Sequence, residues 1–410
     1  MADKNKNQHS LDPKDAPVNN QPTVADVETE RNRVGNGYFM DKIETGQSAP
    51  LPIEVPATGG TAEEQKNAAS RKAVTQSYWS LVKHQFKKNK IALTALYLVY
   101  FLFTVAIFAD FLANDKPIYA SYKGETYFPV FKDYLVGLGM DRWSADLVNA
   151  DWKELEARGE VSSSLWPPIK YRASNQDLIN NLQPPGGDHL LGTDAIGRDV
   201  LAGMIHGSRI ALSVGFVSMS IALLIGVVLG ALAGFYGGWI DVVISRLVEL
   251  VLTLPVFFLI ITVVAMFQTG SVWLVMIMIG LTGWPSIARF TRGEFLRVRN
   301  MEYVSAATAL GFKNNRVIFR HVLPNALAPV LVTLAFGIAG AILTEAGLSF
   351  LGFGVPPTVV TWGSVLADSR GNVSAWWLAV FPGMAIFLAV VAYNLVGDGL
   401  RDALDPRLRD

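Results

Sequence analysis

The sequence contains a long apolar segment, residues 210–236, that has no charged side chain. About 20 apolar residues in a helix are enough to cross the hydrocarbon core of a bilayer. The composition agrees with a lipid environment, because 17% of the 410 residues are charged and 51% are hydrophobic, whereas average soluble domains carry about 25% charged residues. The segment therefore predicts a transmembrane helix.

Five further segments have the same character, and their number predicts the fold class. Each is long and apolar enough for a span, although Gly280, Gly283 and Pro285 interrupt the fourth span. The five segments are residues 91–113, 247–267, 271–288, 326–350 and 376–396. The chain is therefore predicted to be an all-α polytopic membrane protein with six transmembrane helices.

The basic residues predict which side of the membrane each segment occupies. Lysines precede the first span, and the loop of residues 289–325 has seven arginines and lysines; short loops rich in these residues lie in the cytoplasm. Residues 1–70 are polar and rich in proline, which predicts a disordered cytoplasmic tail. The predicted order is the tail, a lead-in with the first span (71–113), an extracytoplasmic insert (114–209), a five-helix core (210–396) and a cytoplasmic C-terminal tail (397–410). Both termini are thus predicted to be cytoplasmic.

The extracytoplasmic insert is predicted to pack into a small lobe. It contains clusters of tyrosine, phenylalanine and tryptophan, and turn signals at Pro167–Pro168 and Pro184–Pro185. Such aromatic side chains anchor a lobe on itself and on lipid headgroups, or they contact a substrate. The residues alone leave both interpretations open.

The chain has no recognisable catalytic or cofactor motif. It contains no cysteine, which excludes disulfide scaffolds, zinc–cysteine modules and thiol catalysis. Phosphate-loop, nucleophile-elbow and zinc-protease motifs are missing, and the five histidines are scattered. The 35 basic and 35 acidic residues balance, so no basic field favours nucleic acid. We therefore expect a non-enzymatic chain without a cofactor or metal of its own, which draws energy from a partner or an ion gradient.

A stripe of small residues follows one face of the second predicted span. Ala222, Gly226, Gly230 and Gly234 recur every four residues, so another helix can approach this face closely. The partner helix belongs either to the same subunit or to a second one.

Four charged residues are candidates for a gate or a transport pathway. Glu345 lies inside the fifth predicted span, where a carboxylate is costly; it forms either a structural hydrogen bond or part of the pathway. Three more charged residues lie just before the second span, namely Asp194, Arg198 and Asp199. They form either a gate or a local ion pair.

The stretch after the fourth span is the most specific signal in the sequence. From Glu302 to Gly311 it reads E-Y-V-S-A-A-T-A-L-G, which predicts a short helix that stops at a glycine with positive φ. A basic amphipathic helix follows and is predicted to close at Pro324. A compact helix with small side chains suits the groove of a partner protein.

This stretch resembles the E-A-A-x3-G-x9-I-x-L-P loop of permease subunits in binding-protein-dependent ABC importers. The matching residues are Ser305, Ala306, Ala307, Gly311, Leu323 and Pro324. Ser305 replaces the glutamate of that pattern and His321 its isoleucine, although Glu302 lies one helical turn earlier. Residues 190–201, 348–354 and 397–407 resemble further motifs of the peptide and nickel branch, and the insert resembles that of the microcin C and oligopeptide subgroup.

The resemblance implies a type I ABC importer permease that forms half of a translocation path for peptides. A second permease subunit, two ATPase subunits carrying ATP and Mg, and an extracytoplasmic binding protein would complete the complex in the bacterial inner membrane. The residues implied to couple to the ATPase are Glu302, Tyr303, Ser305, Ala306, Ala307, Leu310, Gly311, Leu323 and Pro324. A nickel chelate or another small solute is an alternative cargo. A secondary transporter is the alternative class, but the two halves of the sequence show no inverted repeat.

Overall fold

Long helices dominate the computed structural model, which describes residues 78–148, 150–267 and 271–404. In chain order the elements are α1 Tyr78–Lys88, α2 Lys90–Ile107, α3 Ala109–Leu112, β1 Tyr119–Tyr122, β2 Glu125–Tyr127, α4 Pro129–Gly137, α5 Trp152–Ala157, β3 Val161–Leu165, α6 Val200–Tyr236, α7 Gly238–Thr253, α8 Val256–Phe267, α9 Val272–Arg299, α10 Glu302–Ala309, α11 Asn314–Val317, α12 Leu323–Phe350, α13 Trp362–Asp368 and α14 Trp377–Leu404. The predicted tail of residues 1–70 lies outside the described residues.

Among the described residues, five helical segments are long and apolar enough to cross a membrane, namely α2, α6, α9, α14 and the continuous segment Asn314–Phe350, which contains α12. The pair α7 and α8 passes the same test together but is bent by 78°. The number of candidate spans among the described residues is therefore six if this pair is counted as one span. The predicted third span of residues 247–267 is therefore not one continuous helix, because it is broken between Thr253 and Val256. Pro255 has no N–H to donate, and Leu254 before it takes an extended conformation, as residues before proline do.

The long helices extend beyond the predicted spans. Helix α6 begins at Val200, ten residues before the predicted start at residue 210, and α9 continues to Arg299, so the predicted loop of residues 289–325 begins as helix. Helix α14 likewise continues through most of the predicted tail of residues 397–410. Hydropathy marks only the apolar part of a helix, whereas these polar ends satisfy their backbone groups by continuing the same helix.

The small-residue stripe is covered by a helix of the same chain. Helices α6 and α9 form the most extensive helix pair in the described part of the molecule. A Cβ added at Gly226 would lie 2.7 Å from Cβ of Ile287, and one added at Gly230 would lie 2.5 Å from the carbonyl oxygen of Ala288. A Cβ added at Gly234 would lie 2.6 Å from Cβ of Phe295. Ala222 is also fully buried. Glycine is required here because the two backbones nearly touch.

The insert forms a lobe built on a small antiparallel sheet of order β2-β1-β3. Ala120 and Tyr122 on β1 pack with Trp152, Leu147 and Val161 in a separate hydrophobic cluster. This sheet is a departure from the predicted all-α class that does not alter the membrane helices. Its strands are three to five residues long, too short for an alternating pattern to identify them.

We name the two ends of the helix bundle by the elements they carry. The lobe end holds the lobe, the start of α6 and helix α13, since Trp362 of α13 donates its indole N–H to the carbonyl oxygen of Met204 at 2.9 Å. The α10 end holds the C-terminus of α9 and helix α10.

Candidate functional site

Helix α10 is fixed to the bundle by two inward-facing residues. Val304 and Ala307 are buried at 2% and 4% exposure, and Val304 packs in a hydrophobic cluster with Phe295 and Val298 of α9. Gly311 ends the helix with φ of 78°, which glycine adopts without steric cost. The predicted short helix with a glycine stop is therefore present, and it is held rigidly against the end of α9.

The remaining surface of α10 faces away from the bundle. Glu302, Tyr303, Ser305 and Ala306 are all exposed, and Leu310 is 74% exposed. Of the α10 residues predicted to couple, Ala307 thus differs from the others, because its side chain packs inside its own chain. The exposed side offers small and apolar groups on a fixed helix, which suits a groove in another protein.

The segment after α10 leads into α12 without a break. Helix α11 passes into a π-helical turn, Ile318–Val322, and then into α12. The predicted closure at Pro324 is wrong, because the helix continues through this proline, which lies just after the π-helical turn in the first turn of α12. Leu323 packs on the same cluster as Val304. Helix α10 is therefore bracketed by both α9 and α12.

Two contacts in this segment were not predicted from the sequence. The rings of Phe312 and His321 stack with centroids 6.0 Å apart, and the guanidinium of Arg316 lies 4.2 Å from the Phe312 ring centroid. His321 occupies the position at which the resembled pattern has isoleucine, and its flat ring supplies a packing surface there.

A cavity of about 710 Å³ lies between α6, α8, α9 and α12. Its polar wall residues are Thr282, Ser286, Arg289, Glu294, Thr333 and Thr344, and its glycines are Gly283, Gly293, Gly337 and Gly340. Most of the remaining wall is aliphatic. Ser286, Phe290 and Gly340 are exposed on the surface of the single chain, so the cavity is open along that side.

The threonines on the cavity wall have little hydrogen-bonding capacity left for a ligand. Thr282 donates to the carbonyl oxygen of Met278 at 2.8 Å, Thr333 to that of Val330 at 2.7 Å, and Thr344 to that of Gly340 at 2.8 Å. Because the hydroxyl protons are used within each helix, the wall presents mainly apolar atoms and weak acceptors.

Charged side chains at the α10 end of the cavity are mostly paired. Arg292 contacts Asp241 at 2.5 Å, Arg297 contacts Glu294 at 2.6 Å, and Arg246 contacts Glu249 at 2.6 Å. Within the described residues, Arg289 has no carboxylate within ion-pair distance. The cavity wall therefore has one uncompensated positive charge, which hydropathy and motif analysis had not singled out.

At the lobe end, Asp194 and Arg198 form a buried ion pair. Nε of Arg198 lies 2.5 Å from Oδ2 of Asp194, and Oδ1 of Asp194 accepts the backbone N–H of Ile196 and of Arg198 at 3.0 and 2.9 Å. Nη2 of Arg198 also lies 3.5 Å from Oδ2 of Asp368 at the end of α13. Of the two interpretations left open, the ion pair is present.

Asp199 is not a partner of Arg198. Its Oδ2 lies 2.8 Å from Nδ1 of His189, and its Oδ1 accepts the N–H of Ala202 at 2.7 Å as the N-cap of α6. The indole N–H of Trp377 on α14 donates to the carbonyl oxygen of Thr193 at 3.0 Å. These contacts join the start of α6 to α13 and α14 and stabilise the lobe end.

Glu345 is buried at 1% exposure and is absent from the cavity wall. Its Oε1 accepts the hydroxyl proton of Ser349 at 2.7 Å. Helix α13 packs directly beside it, since an added Cβ on Gly363 would lie 2.5 Å from the carbonyl oxygen of Ala346. The geometry agrees with the structural interpretation of Glu345 and gives it no contact with the cavity.

The two carboxylates on Arg198 should respond differently to removal of their charge. Asp194→Asn loses hydrogen bonds to a charged group in a buried site, so we expect a loss of at least about 2 kcal/mol of stability. Asp368→Asn should change stability by less than about 1 kcal/mol, because its contact with Arg198 is longer.

The pH dependence of unfolding should separate these variants further. Burial, and then the Asp194 carboxylate, raise the pKa of Asp368. The folded state therefore binds this proton more tightly than the unfolded state, and stability falls as pH rises through the folded-state pKa. Asp368→Asn should reduce that fall in thermal unfolding measured from about pH 4 to about pH 8. An identical pH profile in wild type and Asp368→Asn would contradict this account.

Comparison with protein families agrees with the architecture described above. Residues 226–410 match the family model of binding-protein-dependent transport system inner membrane components. Residues 77–129 match the N-terminal transmembrane domain of oligopeptide transport permease C. The second match covers α1, α2 and the first part of the lobe, and the first covers α10 and all of the cavity wall except Met219.

Curated relatives align over most of the chain. A peptidoglycan transport system permease protein of Agrobacterium fabrum is 36% identical over 78% of this chain and 91% of its own length. An inner membrane ABC transporter permease protein of Escherichia coli is 36% identical over 81% of this chain and 97% of its own length. An oligopeptide transport system permease protein of Bacillus subtilis is 31% identical over 88% of this chain and 99% of its own length.

The chain therefore belongs to the family of inner-membrane components of binding-protein-dependent transport systems. Within that family it is a permease subunit of an ABC transporter, and the resemblance deduced from the short motifs is confirmed. Members of this family are transport subunits embedded in the membrane.

Proposed function

We propose that this chain forms half of the peptide path in an ATP-driven importer of the bacterial inner membrane. Its relatives in Agrobacterium fabrum and Bacillus subtilis are named for the transport of peptidoglycan and of oligopeptides. The observation that carries the proposal is the cavity between α6, α8, α9 and α12, which is open on one side of the single chain. A second permease subunit covers that side and completes the path.

The remaining partners follow from the same arrangement. An extracytoplasmic binding protein delivers the peptide at the lobe end, and two ATPase subunits bind at the α10 end and hold ATP and Mg. Arginines and lysines are concentrated at the α10 end, which supports a cytoplasmic location for it and for both termini. The permease itself contributes the path and no catalytic group.

The structure suggests how movement of an ATPase reaches the cavity. Val304 packs against Phe295 on α9, and Leu323 at the start of α12 packs on the same cluster. Helices α9 and α12 both form walls of the cavity. When two ATPases close around ATP, a displacement of α10 therefore moves both walls together as packed elements. Rotation of the two permease subunits then exposes the path to alternate sides of the membrane.

Filling the cavity tests the path directly. Gly340→Leu should reduce peptide uptake by at least about tenfold, because the side chain would project into the cavity, and an added Cβ on Gly340 has no neighbour within 4 Å. Gly383→Leu on α14 is the matched control, since Gly383 also has open space at its Cβ but does not line the cavity.

The measurement is uptake of labelled peptide by proteoliposomes that contain the purified complex, the binding protein and ATP. Uptake in wild type and Gly383→Leu, with little in Gly340→Leu, would support the proposal. Equal uptake by both variants would contradict the cavity as the path. If peptides fail to stimulate ATP hydrolysis in the wild-type complex, the peptide assignment itself is wrong.

A further inference from the structure

Helix α4 in the lobe buries Pro129 and Val130 at its start but exposes its larger apolar side chains, while its two charged residues are partly buried. Four apolar or aromatic residues of this helix are between 43% and 70% exposed, namely Phe131, Tyr134, Leu135 and Leu138, the last of which caps its C-terminus. Their spacing places them on one face. The charged residues Lys132 and Asp133 instead point into the lobe. A helix on an aqueous surface exposes its charges and buries its apolar stripe.

The inward charges are satisfied within the lobe. Asp133 accepts a hydrogen bond from Nζ of Lys116 and one from the indole of Trp143, both at 2.8 Å. Nζ of Lys132 lies 3.5 Å from Asp141 and 5.1 Å from the Trp143 ring centroid. These contacts fix the rotation of α4 about its own axis, so the apolar face is held outward by the fold.

The exposed face of α4 continues directly from the end of the first span. The ring centroids of Phe131 and Phe111 are 5.1 Å apart, and those of Phe111 and Phe108 are 6.2 Å apart. The Tyr134 hydroxyl hydrogen-bonds to the Asp110 carboxylate, which also pairs with Arg209 of α6 at 2.8 Å. Helix α4 is therefore joined to the point at which α2 leaves the hydrocarbon.

The exposed residues of helix α2 indicate whether water or lipid borders the apolar face of α4. Tyr97, Tyr100, Phe101 and Ile107 are between 58% and 63% exposed on a helix that is apolar enough to span the bilayer. In the single chain this side of the span is uncovered and free to contact lipid, and the aromatic row through Phe108 and Phe111 extends it to α4. Tyrosine and other aromatic side chains are favoured at the boundary between acyl chains and headgroups.

We propose that α4 is an in-plane interfacial helix, with Phe131, Leu135 and Leu138 inserted into the lipid leaflet on the lobe side. Its occupant is lipid, because the apolar face is continuous with the lipid-facing side of α2. In-plane helices bury an apolar face to a shallow depth in the headgroup region. The contact holds the lobe at a fixed height and tilt above the start of α6.

Site-directed spin labelling can test this placement, because the sequence contains no cysteine. Single variants Leu135→Cys and Leu138→Cys are labelled with a nitroxide in the intact complex in lipid nanodiscs. Ile179→Cys is the control, since Ile179 is an apolar residue of the insert at 92% exposure and is not part of α4. Collision rates are measured with oxygen, which partitions into lipid, and with a water-soluble nickel chelate.

Lipid contact predicts that labels at residues 135 and 138 collide more with oxygen than with the chelate, while the label at residue 179 shows the reverse order. Similar chelate collision rates at all three positions would overturn the proposal. It is also overturned if labels at residues 135 and 138 are inaccessible to both reagents in the complex, because a protein partner would then cover the face. The result does not depend on which solute the transporter carries.

Discussion

Leu310→Asp is expected to release the ATPase subunits from the permease and to abolish ATP-driven uptake. Leu310 is 74% exposed at the end of α10, so its replacement should change folding stability by less than about 0.5 kcal/mol. Docking of α10 in a partner groove would bury this side chain. Losing that burial weakens the interface by about 2 kcal/mol, or about 30-fold in affinity, before the cost of burying a carboxylate is counted.

The measurement is the amount of ATPase subunit that co-purifies with the permease, followed by peptide uptake in proteoliposomes. Leu178→Asp is the matched control, because Leu178 is 69% exposed but belongs to the lobe. Ala307 is a poor test site, since a larger residue there would disturb the packing of α10 on its own chain. Full retention of the ATPase by Leu310→Asp, with normal uptake, would show that α10 is not the docking element.

The difference between Ala307 and Leu310 shows where sequence reasoning reached its limit at the candidate site. The residues from Glu302 to Gly311 predicted a short helix with a glycine stop, because these are local properties of the chain. Which side of that helix is free depends on where Phe295 and Val298 lie, and these residues belong to another helix. A motif identifies the segment, whereas packing assigns the role of each residue.

The membrane helices show the same separation between local and long-range information. Apolar run length predicted the spans, but not that α6 would begin at Val200, because His206 and Arg209 read as loop residues. Both are accommodated by tertiary contacts: His206 lies 2.8 Å from the carbonyl oxygen of Ala113, and Arg209 pairs with Asp110. Hydropathy has no information about partners that are about a hundred residues away.

The ion pairs at the lobe end illustrate a further limit. The sequence placed Asp194, Arg198 and Asp199 together as a gate or a local ion pair. It did not indicate Asp368, which comes from α13, or His189, which competes for Asp199. The apolar face of α4 was hidden for a related reason: which side of this helix faces outward depends on the contacts of Lys132 and Asp133 with Lys116, Asp141 and Trp143 elsewhere in the lobe.

Gly230→Leu is expected to prevent the accumulation of folded protein. An added Cβ would lie 2.5 Å from the carbonyl oxygen of Ala288 and 2.7 Å from Cβ of Thr291, so the α6 and α9 backbones would have to separate. Helices inside a bilayer gain little from hydrophobic burial against each other and depend on close packing. Inserting extra methylene groups into a well-packed core costs about 1–3 kcal/mol, and here leucine would add four carbon atoms where the two backbones already nearly touch.

Gly293→Leu on α9 is the matched control, because nothing lies within 4 Å of an added Cβ there. The same chemical change should leave expression and thermal stability in detergent close to wild type, although the side chain enters the cavity. Monodisperse Gly230→Leu protein with wild-type thermal stability would contradict the close packing. If both variants failed to accumulate to the same extent, leucine would be harmful at either position. The small-residue stripe would then have no special role in joining α6 to α9.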